Sequence, residues 1–184
     1  VGVCAEFGGA AFAPYMKPVV GVLNACVTAP DAREEDNAAP TENAISSLGK
    51  IAMFQRDAIQ PQLGQPPEAL VDFWLSLLPL NEDIVEARSV HALLVKRVAD
   101  NDAAVLGANN KNLPEIARVF VHALSEGVPQ THKRHALVSD ETGKEMVGLL
   151  KQLQGALPAE AFAAAAQGLD GDKQKNVQDL MSRL

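Results

Sequence analysis

ALVDFWLSLLPLNEDIVEA, residues 69–87, is the stretch that decides the fold of this chain. Its large apolar residues recur at intervals of three and four, which is the period of one helix face and of no strand face: Leu70, Phe73, Trp74, Leu77 and Leu78. Pro79 has no backbone N–H and disfavours helical geometry in the residue before it, so the helix must stop there. The sequence therefore predicts a helix that ends at a proline turn.

A second helix is predicted directly after this turn. The side-chain oxygen of Asn81 can accept from the free N–H groups of a new helix, and Glu82, Asp83 and Glu86 place negative charge at the positive end of its dipole. Further apolar residues keep the helical period as far as residue 99: Ala87, Val90, Leu94 and Val98. The resulting unit is a helix, a tight turn and a second helix.

The same unit recurs along the chain. Its first helix is placed near Tyr15, Ala69, Leu113 and Pro158, so the steps are 54, 44 and 45 residues (69−15, 113−69, 158−113). Two of these steps fall within the period of about 40 to 47 residues that is typical of HEAT and armadillo repeats. The first step is longer because residues 28–42 contain two prolines, several acids and no large apolar residue, which favours a loop insertion.

We therefore predict an all-α fold, a HEAT-repeat α-α superhelix (solenoid) of about four helical pairs. Residues 1–9 are expected to end a preceding repeat. The following repeats are predicted at residues 14–58 with the acidic loop at 28–42, at 68–100, at 105–154 and, as a terminal helix pair, at 158–184. The three prolines of residues 60–67 indicate a linker before the central pair.

Composition agrees with a helical protein that can bury a core, since 47% of the 184 residues are hydrophobic and only 4% are aromatic. The formal net charge is −7, and residues 29–42 contribute −4 of it, as five acids minus one arginine. This balance argues against binding to the phosphate backbone of nucleic acids and is compatible with basic protein partners. For the acidic loop itself, a solvated segment that keeps the protein soluble is favoured over a contact role.

Neither the cysteines nor the hydropathy indicates secretion or a membrane partner. Cys4 and Cys26 form no CxxC pattern and are interpreted as reduced packing residues. No signal peptide is recognised, and no apolar run is expected to reach the ~20 residues that cross a bilayer. The chain begins at Val1 inside an apparent helix, so we expect a piece of a longer protein, with Val1, Val3 and Phe7 exposed where a preceding repeat would stack.

Acidic residues gather where the second helices of the predicted pairs begin, and Asp170 and Asp172 mark the last of these positions. In a stack of repeats such positions line up along one edge and form an acidic ridge. Helix capping and compensation of the dipole explain acids at these positions in any helix, and this is the favoured interpretation. A ridge that borders the inner surface would also hold a lysine-rich partner, and the candidate contacts are Glu42, Glu82, Asp83, Glu86, Asp140 and Glu141.

Enzyme chemistry finds little support, and no catalytic, cofactor-binding or metal-ligating residue is predicted. His132 and His135 have a spacing that two metal ligands could use, but they flank two cations that would repel a metal ion. His91 and His122 lie within predicted helices and are interpreted as packing or surface residues. A small metal-dependent hydrolase with His132 and His135 as its ligands is kept as a remote alternative.

Three segments resemble one known family in order and spacing. They are TENAISSLGKI at residues 41–51, FWLSLLPLNED at residues 73–83 and VLGANNKNLPEI at residues 105–116. Together they are similar to the C-terminal end of importin-β-type nuclear transport receptors (karyopherin-β), in the importin-five branch. Lys133, Arg134 and the four histidines match no motif of that family, and the tail is richer in alanine.

The resemblance implies a HEAT solenoid that binds basic protein cargo, of the ribosomal-protein or histone type, on its inner surface. It also implies release of cargo by Ran-GTP, which binds mainly near N-terminal repeats outside this chain, and contacts with phenylalanine-glycine nucleoporins. Such a receptor shuttles between cytoplasm and nucleus and uses no cofactor. The alternative from another class is a HEAT-repeat scaffold subunit of a different multiprotein complex.

Overall fold

A computed structural model describes residues 1–129 and 135–184. Within these residues the chain is about 75% helical and has no strand, which confirms the predicted all-α class. Two 3₁₀ segments, Gly9–Tyr15 and Ala108–Asn110, lie between α-helices. The α-helices of the described residues are α1 Gly2–Phe7, α2 Met16–Val27, α3 Glu35–Phe54, α4 Arg56–Leu63, α5 Pro67–Ser76, α6 Ile84–Ala99, α7 Ala103–Leu106, α8 Leu113–Ser125, α9 Asp140–Ala156, α10 Ala159–Ala164 and α11 Gly171–Arg183.

The helices form two compact units, Val1–Leu77 and Leu78–Leu184. In the first unit α3 is the central helix, and α1, α2 and α5 pack against it. The largest side chains of this core are completely inaccessible to solvent: Ile45, Leu48, Ile51 and Trp74. The first unit therefore buries the helix face of TENAISSLGKI against neighbours from both sides of it in sequence.

Close packing of α3 against α5 depends on a glycine. The indole ring of Trp74 lies directly against the backbone of Gly49, and a Cβ atom added there would be 2.5 Å from Trp74 Cε2. Such a distance is far inside van der Waals contact, so residue 49 must lack a side chain for Trp74 to be buried.

In the second unit α9 packs against both α6 and α8, and α11 packs against α8. Six of its fully buried core residues lie on these helices: Leu94, Ile116, Phe120, Leu124, Met146 and Leu150. Gly143 of α9 allows a second close approach, because a Cβ atom there would be 2.6 Å from Val128 Cγ1. The packing within each unit is consistent with HEAT-type helical repeats.

Two segments predicted to be irregular are helical. Residues 35–42 belong to α3, so the loop interpretation of residues 28–42 is wrong for its second half. Residues 60–63 lie in α4, so the predicted linker at 60–67 is wrong in its first half. Pro40 and Pro61 both stand inside these helices, each at the cost of a backbone hydrogen bond.

One predicted cap also differs from the structure. Asp83, and not Asn81, caps α6, because its carboxylate accepts from the backbone N–H groups of Val85 and Glu86. The cap is the residue directly before Ile84, where the helix begins, and so lies two residues later than predicted.

The predicted exposure at the start of the chain is confirmed. Val1, Val3 and Phe7 are 55%, 66% and 77% exposed, and Tyr15 and Val22 are similarly open. The segment Gly9–Val27 is long and apolar enough to cross a membrane by length and composition alone, and 22% of its most apolar window is buried. The expectation that no run reaches such a length is therefore wrong, although core helices and signal sequences pass the same test.

Candidate functional site

The N-terminal end of α6 carries three of the predicted acidic residues. Asp83 is held by two hydrogen bonds of 3.1 Å in which its Oδ1 accepts from the N–H groups of Val85 and Glu86. Glu82 is exposed, whereas Asp83 and Glu86 are half-buried. Capping thus fixes the position of one carboxylate, and its two acidic neighbours lie within one turn of it.

His91 connects α6 to two loops from distant parts of the second unit. Its Nε2 accepts from the Leu80 N–H at 3.3 Å, and its Nδ1 lies 2.9 Å from the Leu137 carbonyl oxygen. Because an amide N–H can only donate and a carbonyl can only accept, the imidazole must carry its hydrogen on Nδ1 and be neutral. This side chain therefore joins the loop before α6 to the loop before α9.

Further side chains tie down both loops. Arg88 Nε donates to the Ala136 carbonyl at 3.1 Å, and an Arg118 guanidinium N–H of α8 donates to the Leu78 carbonyl. Ser139 caps α9, since its hydroxyl oxygen accepts from the Thr142 N–H at 3.1 Å. The loops that lead into α6 and α9 are thus held on one side of α6.

The two loops bonded to His91 each lead into a helix that begins with acids. Asp83 is three residues after Leu80, and Asp140 is three residues after Leu137, so the backbone of each lies within about 11 Å of a residue bonded to His91. We call the set formed by Glu82, Asp83, Glu86, Asp140 and Glu141 the acidic edge.

The acidic edge carries five carboxylates. Cationic residues follow them on the same helices, Arg88 after Glu86 on α6 and Lys144 after Glu141 on α9. Burial lowers the pKa of His91 to about 4, partly opposed by its hydrogen bond to Leu137, so this histidine adds no positive charge. Glu82 and Glu141 are exposed, and the other three acids are half-buried. The exposed carboxylates of Glu82 and Glu141 are the groups that this set presents to solvent.

No protein-family model matches the chain. The chain is similar to a yeast importin. The relative is importin subunit beta-3 of Saccharomyces cerevisiae, which is 23% identical over 159 residues, or 86% of this chain. The chain spans 13% of the length of that relative. The similarity supports the importin-β resemblance in general, while the importin-five branch and the C-terminal position stay predictions.

Glu42 does not join the acidic edge. It lies in α3 of the first unit, is only 1% exposed, and its carboxylate is 4.0 Å from the guanidinium of Arg33. A side chain with so little accessible surface has nothing to offer a partner. The structure therefore favours an internal role for Glu42, and the contact hypothesis rests on the five acids of the second unit.

The last acids of the predicted ridge lie at the start of α11. Asp170 caps this helix, because its Oδ1 accepts from the Lys173 N–H at 2.9 Å. Asp172 occupies the first turn. Lys173 also pairs with Glu126 at 2.5 Å, so a cation stands beside this acidic pair. The α11 terminus is consequently a weaker anionic site than the acidic edge.

The described part of the chain contains no group of three or more histidine, cysteine, aspartate or glutamate side chains that could hold a metal ion. His135 is exposed, and His132 lies outside the described residues. Sequence reasoning placed His91 among packing residues, which is correct, but it missed that His91 joins the two loops. A histidine on the otherwise apolar face of α6 was the available signal, and its loop partners could not be read from the sequence.

Proposed function

We propose that this chain is part of a nuclear transport receptor and binds basic protein cargo through the acidic edge. Support comes from one observation in particular: two loops of a HEAT-type unit, joined by His91, lead into α6 and α9, whose starts carry five carboxylates between them. The similarity to an importin subunit gives such a surface a role in transport. The chain acts in this proposal by binding and not by catalysis.

The finer parts of the proposal follow from the resemblance. Cargo is of the ribosomal-protein or histone type, because lysine-rich segments complement a multivalent anionic surface. Ran-GTP controls release, mainly through repeats outside this chain, and phenylalanine-glycine nucleoporins bind elsewhere on the receptor. The whole receptor shuttles between cytoplasm and nucleus.

Electrostatic binding of this kind has a clear physical signature. Exposed ion pairs contribute about 0.2–1 kcal/mol each, so three of them change affinity by about threefold to more than a hundredfold. The Debye length falls from about 10 Å at 0.1 M salt to about 3 Å at 1 M, which screens exposed charges. Affinity should therefore fall steeply as salt rises.

The test measures binding of the immobilised chain to a lysine-rich peptide over a salt series. The variant E82Q/E86Q/E141Q removes three charges from the acidic edge and leaves the Asp83 cap intact. The matched control E34Q/E35Q/D36N removes three charges near the start of α3, where all three side chains are exposed. We expect salt-sensitive binding that the first variant weakens about tenfold, near the middle of that range, and that the control changes by less than about threefold.

Two results would refute the proposal. If both variants weakened binding equally, net charge and not the acidic edge would attract the peptide. If the unmodified chain bound no basic peptide at low salt, this segment would carry no cargo surface. The alternative function is that of a HEAT-repeat scaffold subunit. Such a subunit would bind its partner equally well whichever nucleotide Ran carries.

A further inference from the structure

The last two helices are held on the second unit through a small apolar contact. We call α10, α11 and the turn between them the terminal cap. All of its residues are described, and three of its side chains are buried: Ala165, Val177 and Leu180. By contrast α8, against which both helices pack, has eight buried residues. Because apolar burial is the main force that docks a helix, we expect the terminal cap to open at a lower free-energy cost than the core of the unit.

Polar contacts add to the docking of α11. The side-chain amide of Asn176 donates to the Ser125 carbonyl at 3.1 Å, and the Lys173 ammonium group pairs with Glu126. The hydrogen bond with Glu126 is the largest cause of the raised pKa of Lys173, so this lysine is charged at neutral pH. Both contacts join the first two turns of α11 to the C-terminal end of α8.

His122 is the residue of α8 that faces the turn of the terminal cap. Backbone groups of Ala165 and Gln167, both in that turn, lie close enough to its imidazole to favour the charged form. Its Nε2 atom is buried and has no hydrogen-bond partner among the described residues. Burial of a polar atom without a partner is costly, and burial of a charged imidazole at the same place would cost more.

The charges that act on His122 are positive. Burial is the largest cause of its lowered pKa, followed by the charge of Arg118 one turn earlier on α8, and Lys173 of α11 lowers the pKa as well. Each cation is paired with a carboxylate, Arg118 with Glu115 and Lys173 with Glu126. The charged side chains of α9 from residue 141 onward, and those of the terminal cap other than Lys173, are exposed. A proton on His122 would therefore add a third positive charge to this contact.

We propose that His122 is a pH-sensitive switch for the terminal cap: the neutral imidazole lets α10 and α11 dock on α8, and the protonated imidazole releases them. Release exposes the imidazole to water and removes it from Lys173, so the charged form favours the open state. The side of α8 that the terminal cap covers then becomes accessible. This device does not depend on the acidic edge or on the function proposed for it.

Acid should open the terminal cap by a defined factor. In the open state the pKa of His122 is near its ordinary value of 6.5, whereas in the docked state the pKa is lower. The contribution of His122 to docking is therefore fully present above pH 6.5 and is lost as pH falls. If the docked imidazole stays neutral, the open fraction rises about tenfold between pH 7.5 and pH 5.5.

Hydrogen exchange of the complete chain, followed by NMR at pH 7.5 and pH 5.5, measures this opening. Protection factors remove the intrinsic effect of pH on exchange. The backbone amides of Val177 and Leu180 report the terminal cap, and that of Leu94 in α6 reports opening of the whole unit. His122→Gln removes the titrating group and keeps a polar side chain. His135→Gln is the matched control, because it removes an exposed histidine of the same unit.

In the unmodified chain we expect the protection of Val177 and Leu180 to fall about threefold to tenfold from pH 7.5 to pH 5.5. At pH 7.5 these amides should be at least about tenfold less protected than Leu94, since the terminal cap opens without the rest of the unit. In His122→Gln their protection should change by less than about twofold between the two pH values. His135→Gln and E82Q/E86Q/E141Q should behave as the unmodified chain does.

A titration of the His122 ring signals in the unmodified chain tests the proposal without any variant. Its midpoint should lie below 6.5, because the docked imidazole resists protonation. A midpoint at or above 6.5 would overturn the proposal. So would cap amides as strongly protected as Leu94 at pH 7.5, or a loss of protection in His122→Gln equal to that of the unmodified chain.

Discussion

Replacement of His91 by leucine tests the link on which the acidic edge depends. His91 is completely buried, as are its two backbone partners, the Leu80 N–H and the Leu137 carbonyl, which lie on residues 0% and 1% exposed. Leucine fills much of the same volume but can neither accept from Leu80 nor donate to Leu137. Two buried polar groups would therefore lose a partner in a single substitution.

The size of the effect follows from that loss. A buried donor or acceptor left unsatisfied costs about 1–3 kcal/mol, so two of them cost about 2–6 kcal/mol. The apolar burial of leucine offsets about 1–2 kcal/mol of this. The net range is about 0–5 kcal/mol, and we expect the second unit to be destabilised by its middle value, about 2–3 kcal/mol, at pH 7.

The same substitution should change the dependence of stability on pH. The pKa of His91 is about 4 in the folded chain and 6.5 as its ordinary value. As pH falls below 6.5, the unfolded chain binds a proton that the folded chain rejects, so this contribution to stability is present above 6.5 and is lost towards pH 4. At pH 5 the loss is about 2 kcal/mol, and His91→Leu does not suffer it. The difference between the two proteins should shrink accordingly.

Urea unfolding followed by circular dichroism, at pH 7 and at pH 5, measures both effects. Hydrogen exchange of the Leu80 amide reports the local link and should be at least about thirtyfold faster in His91→Leu at pH 7. His135→Gln is the control, because this exposed histidine precedes the same loop and its loss should change stability by less than about 0.5 kcal/mol. Unchanged Leu80 exchange, or a stability difference as large at pH 5 as at pH 7, would refute the reasoning.

Two further predictions concern helix packing and capping, and both are read from urea unfolding. Gly49→Ala should destabilise the first unit by about 1–3 kcal/mol because Trp74 cannot move away from the added methyl group. The control Gly148→Ala, at an exposed position in α9, should stabilise the chain by about 0.5–1 kcal/mol. Equal effects of the two substitutions would mean that the contact with Trp74 does not restrict residue 49. Asp83→Ala should cost about 1 kcal/mol through loss of the α6 cap, and Asp83→Asn should cost much less because asparagine also caps. A similar loss in both Asp83 variants would assign the stabilisation to charge.

Periodicity predicted the helices that bury a continuous apolar stripe and failed where polar residues interrupt one. α2, α6 and α8 were expected close to their observed bounds. The start of α3 was missed because Pro40 and the acids disguise its buried face, on which Ala38, Thr41, Glu42 and Ile45 recur at helical spacing. Burial of that face outweighs the cost of about 3 kcal/mol for a proline inside a helix. Sequence alone cannot show that a glutamate belongs to a core.

The candidate site was predicted in its residues but not in its construction. Acids at helix starts identify Glu82, Asp83, Glu86, Asp140 and Glu141 from sequence alone. The loops that precede them are joined by a histidine bonded to backbone groups 11 and 46 residues away along the chain. Backbone partners have no side-chain signature, so the sequence could not reveal this link.

The acidic edge has two interpretations, stabilisation of helix ends and binding of a basic partner. They can be separated because capping explains only some of its acids. Asp83 caps α6, but the cap of α9 is Ser139, so Asp140 and Glu141 are not needed as the capping residue there. Dipole compensation adds about 0.3–1 kcal/mol for an acid in the first turn of a helix. Neutralising Glu82, Glu86 and Glu141 should therefore cost little stability. A large loss of peptide affinity from the same three substitutions would then belong to the surface charge and not to the fold.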